Sequence, residues 1–284
     1  MQTWRIGSVT VTKIVELEST GGSRFILPQA TRDECLKIGW LKPHFMDDEG
    51  RLKMSVHALV IEAGSRRIIV DTCLGNDKTG RAVPGWNSLQ GPFLRDLAAA
   101  GFARETIDTV MCTHLHVDHV GWNTMMVDGK WVPTFPNARY LMGRTEFEYW
   151  QGNREHPEQV AVFDDSVAPV FEAGLVDLVD TSYRVCDEVS LVPTVGHTPG
   201  HVSIRISSQG EEGLITGDFV HHPCQMAWPQ WASTADYDPQ QSTATRRDMV
   251  GSLAGPRTLV IGTHFAGATA GHVVRDGDAF RLDV

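Results

Sequence analysis

The chain is predicted to fold as a mixed α/β protein with helices packed outside β-sheets. Short apolar strands recur between helical segments along its whole length. Its 284 residues can bury a sizeable core, and the 42% hydrophobic and 21% charged residues are typical of a globular protein. Neither a low-complexity tract nor a linker divides the chain, so we expect a single domain over residues 1–284.

The strands are predicted from alternating or short apolar runs. In chain order they cover residues 9–17, 55–62 paired with 66–71, 109–112, 138–142, 189–195, 202–207, 213–216 and 257–261. Helices are predicted at residues 88–100, ending at Gly101, and at residues 144–150. A third helix is predicted from Asp238, which can cap it, through Pro239 as its first residue to about residue 253. Residues 19–51 and 122–136 are interpreted as insertions into this framework.

Charge and cysteine content exclude several classes of protein. The net charge of −10 opposes nucleic acid as a partner, because phosphate binding depends on Lys and Arg. Five scattered cysteines without a C-x-x-C pair indicate free thiols in a reducing compartment. The first residues do not resemble a signal peptide, and no apolar run approaches the 18 residues of a membrane span. These features predict a cytoplasmic protein.

The most informative motif lies directly after the strand predicted at residues 109–112. It reads Thr-His-Leu-His-Val-Asp-His and places His114, His116, Asp118 and His119 within six positions. Imidazole is the commonest metal ligand among side chains, and zinc accepts both imidazole nitrogen and carboxylate oxygen. The motif therefore predicts a metal site.

Three further candidate ligands follow other predicted strands. His197 lies in a Gly- and Pro-containing loop that can project an imidazole, while Asp218 ends the apolar run Leu-Ile-Thr-Gly-Asp. His264 ends the run Leu-Val-Ile-Gly-Thr-His, which is similar to Val-Met-Cys-Thr-His before the first motif. This similarity suggests that the two halves of the chain have similar structures and that each places candidate ligands at the ends of its strands. A buried carboxylate or imidazole at such a position needs a partner, and a metal ion supplies one.

The ordered set His114-x-His116-x-Asp118-His119, His197, Asp218 and His264 resembles the ligand set of the metallo-β-lactamase superfamily. The resemblance extends from about residue 9 to the carboxyl end, and Asp71 matches an early strand-end Asp of that superfamily. It implies an αβ/βα four-layer sandwich, in which two facing mixed β-sheets carry helices on their outer sides.

The resemblance also implies a role for each ligand. His114, His116 and His197 would bind one metal ion, Asp118, His119 and His264 a second, and Asp218 would bridge the two. Such ligands suit two divalent ions, first of all Zn²⁺, with Mn²⁺, Fe²⁺ or Co²⁺ as alternatives. Asp71 would not bind a metal ion itself but would position a ligand histidine or the Asp118 loop. A hydroxide between the metals would attack a carbonyl carbon or phosphorus, with Asp118 orienting it or carrying a proton.

Four activities of this superfamily compete. The first is a lactonase or carboxylesterase, including the acyl-homoserine lactonases. The second is an aryl esterase or organophosphate triesterase resembling methyl parathion hydrolase; residues 217–222 favour it, because acyl-homoserine lactonases typically have Tyr where this chain has His221. A β-lactamase is disfavoured by the lack of an export signal. An iron oxidoreductase of the persulfide dioxygenase type is disfavoured by the complete ligand set of the second metal. The prediction is an ester or lactone hydrolase.

The substrate is expected to be a neutral, fairly apolar small molecule. His221 is expected either to donate to it or to have a structural role, and the aromatic pocket is predicted to contain Trp122, Trp228, Trp231 and Phe265. By analogy with the same branch, residues 19–51 are expected to cap the pocket or to form a homodimer interface.

Overall fold

A computed structural model describes residues 2–284 of the chain. Its strands, in chain order, are Gln2–Ile6 (β1), Val9–Thr20 (β2), Lys53–Ala63 (β3), Arg66–Val70 (β4), Thr109–Met111 (β5), Thr124–Val127 (β6), Lys130–Pro133 (β7), Arg139–Gly143 (β8), Val176–Val179 (β9), Val189–Pro193 (β10), Val202–Ser208 (β11), Glu211–Ile215 (β12), Thr258–Ile261 (β13), Ala270–Asp276 (β14) and Ala279–Asp283 (β15). The α-helices are Arg32–Leu36 (α1), Phe93–Ala99 (α2), Val117–Val120 (α3), Arg144–Gly152 (α4), Pro157–Val162 (α5), Ala168–Glu172 (α6), Cys224–Ala227 (α7) and Pro239–Ser252 (α8).

The chain forms two compact units, of which the first contains residues 2–16 and 56–181. A seven-stranded sheet runs in the order β1-β2-β3-β4-β5-β8-β9, and β4, β5, β8 and β9 are parallel neighbours. Because Val70 pairs with Met111, the loops that follow β4 and β5 leave the same edge of the sheet. Asp71 and the motif at residues 113–119 lie in these two loops, above a core that includes Val60, Phe93 and Tyr140.

The second unit contains residues 17–55 and 182–284. Its six strands run in sequence order from β10 to β15, and all neighbours are antiparallel except β12 and β13. Ile215 pairs with Ile261 in this parallel pair, so Asp218 and His264 follow strands that end at the same edge. Both units thus present a strand pair whose following loops carry candidate ligands.

Residues 19–51 belong to the second unit and help to build its core. Leu27, Leu41 and Phe45 are completely buried and pack in one cluster with Phe219 and Phe265. Whether this segment also caps a pocket or forms a dimer interface stays a prediction, as does the single domain over residues 1–284.

The predicted mixed α/β class is confirmed, and every predicted strand is present within a few residues of its expected bounds. The helix predicted at residues 88–100 is wrong at its start, because α2 begins at Phe93. Ser88 has a left-handed φ of 54°, and Gly91-Pro92 precedes the first helical residue, so this part of the chain is not helical. Strands β1, β6, β7, β9, β14 and β15 and helices α1, α3, α5, α6 and α7 were not predicted.

The start of α8 follows from the chemistry expected of Asp238 and Pro239. The Asp238 side chain accepts hydrogen bonds from the backbone N–H groups of Gln240 and Gln241, each at 3.0 Å. Pro239 is the first helical residue, where its missing N–H costs nothing. Among residues 2–284, we find no helix with the length and apolar character that a membrane crossing requires.

Candidate metal centre

Asp71 anchors the motif loop in the first unit. Its Oδ1 accepts a hydrogen bond from the backbone N–H of Thr113 at 2.8 Å, and the Thr113 hydroxyl donates to Oδ2 at 2.9 Å. Oδ2 also lies 2.9 Å from Nδ1 of His119, and all three residues are buried. Because Nδ1 of His119 donates to this carboxylate, Nε2 is the atom that His119 presents as a ligand.

The imidazoles of the motif lie against one another. The ring centroids of His114 and His119 are 4.0 Å apart, and Nε2 of His114 lies 3.1 Å from Nδ1 of His116. Nε2 of His119 lies 3.5 Å from Oδ1 of Asp118. His114 and His119 are fully buried, whereas His116 and Asp118 are partly exposed. The first unit therefore gathers all four side chains of the motif as nitrogen and oxygen ligands suited to zinc-like ions.

Glu146, on α4, supports the motif loop and was missed by the sequence reasoning. Its Oε1 accepts hydrogen bonds from the backbone N–H of Leu115 at 3.1 Å and from Nε1 of Trp150 at 2.6 Å. Trp150 in turn lies 5.4 Å from the His116 ring, centroid to centroid. This buried carboxylate is visible in the sequence only as a polar residue of a predicted helix.

Asp218 is the focus of the candidate ligands in the second unit. Its Oδ2 lies 3.2 Å from Nε2 of His264, 3.3 Å from Nε2 of His221 and 3.6 Å from Nε2 of His197. The backbone N–H of Asp218 donates to Nε2 of His201 at 2.7 Å, which fixes the turn that carries the carboxylate. All five residues are at most 4% exposed.

Two of these imidazoles are oriented by acceptors on their far side. Nδ1 of His197 lies 2.9 Å from Oδ1 of Asp236, and Nδ1 of His264 lies 3.0 Å from the carbonyl oxygen of Ser55. Burial raises the pKa of the Asp236 carboxyl, while the nearby Arg246 guanidinium and the hydrogen bond from the backbone N–H of Ser233 oppose that rise. Since both Nδ1 atoms donate, each neutral ring carries its lone pair on Nε2.

This arrangement fits a metal ion. The Nε2 lone pairs of His197 and His264 point toward a carboxylate oxygen that can itself only accept, so these atoms repel one another unless a cation lies between them. A divalent ion satisfies the lone pairs and the carboxylate charge together, and neutral imidazole and ionised carboxylate are the forms that bind metal. In the first unit, Asp71 plays the part that Asp236 plays in the second: it accepts from Nδ1 of His119 and leaves the Nε2 lone pair of that ring for a metal ion.

Replacing Asp236 by asparagine is expected to weaken metal binding on the order of 10–100-fold, because the amide orients the His197 ring less well than a carboxylate does. Isothermal titration of metal-free protein with Zn²⁺ would measure the change. Asp248→Asn, on the same unit but remote from the ligands in sequence, is the control and should bind Zn²⁺ as the wild type does. Equal affinities in both variants would show that Asp236 does not orient a ligand.

The predicted pocket aromatics differ in exposure. Trp122 is 4% exposed; it stacks on Phe93 and donates through Nε1 to Glu16 at 2.6 Å. In the second unit Trp228 is 38% exposed and stacks on the mostly buried Trp231 with centroids 6.1 Å apart. Phe265 is fully buried. Trp228 is therefore the predicted aromatic residue with the largest surface available to a ligand, and the pocket itself stays a prediction.

His222 is a buried histidine that ties the segment after Asp218 to residues 19–51. Its Nε2 lies 3.0 Å from the carbonyl oxygen of Phe45, and its Nδ1 accepts from the backbone N–H of Cys224 at 3.1 Å. Burial lowers the pKa of His222 to about 4, so the ring is neutral at physiological pH. Both nitrogens are used, which gives this histidine a structural role.

Comparison with known proteins matches most of the chain to one protein family. Residues 52–277 match the family model described as the metallo-beta-lactamase superfamily. An N-acyl homoserine lactonase of Bacillus cereus is 25% identical over 179 residues, which cover 58% of this chain and 62% of that protein. A second, from Bacillus sp, is 24% identical and covers 56% and 60%. The chain thus spans less than two thirds of the length of these curated relatives.

Solved structures of low sequence identity share the fold. The hydrolase AbOPH in the beta lactamase superfamily has a TM-score of 0.80 at 23% identity, covering 99% of this chain and 95% of that one. AidC, a dizinc quorum-quenching lactonase, has a TM-score of 0.77 at 20% identity, with 99% and 96% covered. A probable metal-dependent hydrolase from Staphylococcus aureus has a TM-score of 0.78 at 20% identity, with 99% of both chains covered. These matches confirm the predicted fold.

Proposed function

The chain belongs to the metallo-β-lactamase superfamily, and from that premise we propose that it is a dinuclear metal-dependent hydrolase of lactones or carboxylic esters. The observation that carries the proposal is the convergence of imidazole Nε2 atoms on the Asp218 carboxylate, with acceptors behind the rings. The sequence relatives named N-acyl homoserine lactonase support lactones as the substrate class.

Each proposed ligand keeps the role that the family resemblance implies. His114, His116 and His197 would hold one ion, Asp118, His119 and His264 the other, and Asp218 would serve both. Zn²⁺ suits this set of nitrogen and oxygen donors, and Mn²⁺, Fe²⁺ or Co²⁺ are the alternatives. When bound, the ions supply a water molecule of lowered pKa and an electrophile for the substrate oxygen.

The residues of the chain contribute orientation and proton transfer. Asp71 and Asp236 fix the ring planes of His119 and His197, and the Ser55 carbonyl does the same for His264. This keeps Nε2 of each ring as the donor atom and avoids reorganisation during the reaction. Asp118 is partly exposed, which suits a carboxylate that orients an attacking water and carries a proton toward the leaving oxygen.

A phosphotriester is the second candidate substrate class. Its support is His221, which stands where acyl-homoserine lactonases typically place a tyrosine, as it does in the branch resembling methyl parathion hydrolase. Persulfide oxidation by a single iron is the alternative from another class of reaction. A cytoplasmic location and a homodimer remain predictions.

A substrate panel tests the proposal. Purified protein with measured metal content would be assayed on a γ-lactone, an acyl-homoserine lactone, a p-nitrophenyl ester, a phosphotriester and a β-lactam. We expect chelator-sensitive turnover of the lactones and the ester, with the β-lactam unchanged. Turnover of the phosphotriester alone would establish the second candidate. If none of the panel substrates were hydrolysed and the protein consumed oxygen with a persulfide, the proposed hydrolysis would be wrong and persulfide oxidation would be the function.

A further inference from the structure

His221 is a buried histidine whose ring nitrogens make no hydrogen bond. Its side chain is 2% exposed, and neither Nδ1 nor Nε2 has a hydrogen-bond partner among residues 2–284. Burying such groups unsatisfied is costly, and most buried polar atoms in proteins are paired. Its neighbour His222 uses both nitrogens, so the difference is specific to His221.

The ring lies among groups that bind metals. Nε2 of His221 is 3.3 Å from Oδ2 of Asp218, and the ring centroid is 4.8 Å from that of His197. The ring is parallel to that of His264, with centroids 6.1 Å apart and an interplanar angle of 7°. One ligand atom each of His197, Asp218 and His221 lie within 4.8 Å of one another, close enough to surround a single ion.

The backbone of His221 is fixed from within the same unit. The backbone N–H groups of His221 and His222 donate to Oε1 of Gln225 at 2.7 Å and 3.3 Å, and Gln225 donates to the Trp231 carbonyl oxygen at 2.8 Å. The buried Arg246 donates to the carbonyl oxygen of Phe219 at 2.8 Å. The backbone of the segment that carries His221 is therefore held in place before any ligand arrives.

We propose that His221 is a metal ligand and forms a three-residue site with His197 and Asp218. A metal ion would satisfy the ring nitrogen that the folded chain leaves unsatisfied, and it would add one imidazole to the set implied by the family. The inference rests on the proposed function only in requiring a divalent ion at Asp218. Donation from His221 to the substrate is the competing role.

Cobalt(II) alone is the probe for this site. We expect His221→Gln to weaken Co²⁺ binding, measured by competition with a chelator, on the order of 10–100-fold. The visible absorption of bound Co²⁺ should change as well, because it depends on the number and type of ligands. The melting temperature of the metal-free variant should match that of the wild type, since the lost ring makes no hydrogen bond. His44→Gln, at an exposed histidine of the same unit, is the control and should leave affinity and spectrum unchanged.

A variant with wild-type affinity and spectrum would overturn the inference. A crystal structure of the zinc-loaded wild type provides a second test that does not depend on the stability of a variant. It should place Nε2 of His221 about 2.0–2.1 Å from zinc, and a distance beyond about 3 Å would refute ligation. If His221 lay beyond that distance from zinc and the protein still hydrolysed lactones, only the inference about His221 would be wrong and the proposed function would stand. Bound zinc at His221 without hydrolysis of any panel substrate would instead refute the proposed function alone.

Discussion

Asp218→Ala is expected to lower kcat/KM by more than about a thousandfold, on the order of 4 kcal/mol of transition-state stabilisation. Its carboxylate oxygen lies within 3.6 Å of the Nε2 atoms of His197, His221 and His264. Without that charge, the proposed site would lose the carboxylate assigned to both ions, and the imidazoles of the second unit would lose their common anionic partner. Elemental analysis should show less metal per chain, and kinetics on a γ-lactone would give the loss of rate.

Asp238→Ala is the matched control for this experiment. Asp238 lies in the same unit but caps α8, so its loss should cost about 1 kcal/mol of stability in urea unfolding. Metal content and turnover of the folded control should equal those of the wild type. A fully active, fully metallated Asp218→Ala protein would refute the assignment of Asp218 as a shared ligand.

His116→Ala is the second change with a large expected effect. Removing the ring deletes one of the proposed nitrogen ligands while leaving Asp71, His119 and their hydrogen bond untouched. We expect one ion per chain to be lost and kcat/KM to fall more than about a hundredfold, or roughly 3 kcal/mol. Metal analysis after dialysis and lactone kinetics at saturating Zn²⁺ would measure both effects.

His156→Ala provides the comparison for that variant. His156 is an exposed histidine of the first unit and precedes α5 without a side-chain capping bond. Its loss should change neither metal content nor rate. If His116→Ala retained both ions and the wild-type rate, the first motif would not be the ligand set that we propose.

Local signals explain which parts of the fold could be predicted. Asp238-Pro239 defines the start of α8 by capping and fixed φ, and the apolar runs before His114 and His264 are the strands β5 and β13. The C-terminal hairpin of β14 and β15 was missed although Gly277, with φ of 61°, marks its turn. Helix α2 starts late because Ser88 adopts a left-handed φ of 54° and because Pro92, directly before Phe93, disfavours a helical conformation at Gly91.

The candidate ligands were visible because metal binding demands a few residue types at strand ends. Their supports were harder to find, since Asp236 contacts His197 across 39 residues of sequence and the Ser55 contact to His264 uses only a backbone oxygen. Glu146 accepts hydrogen bonds from a backbone N–H and from Trp150, and these contacts produce no recognisable residue spacing in the sequence. Such contacts depend on tertiary structure, so the composition of the sequence does not reveal them.

Zinc titration of metal-free protein tests the central claim most directly. Chelator-stripped protein would receive increasing Zn²⁺ while bound metal and lactone turnover are followed in the same samples. We predict negligible turnover without metal and a rate that rises to a plateau at two bound ions per chain, as a two-metal hydrolase requires. Undiminished turnover in the stripped protein, or two bound ions with no hydrolysis of any panel substrate, would contradict the account.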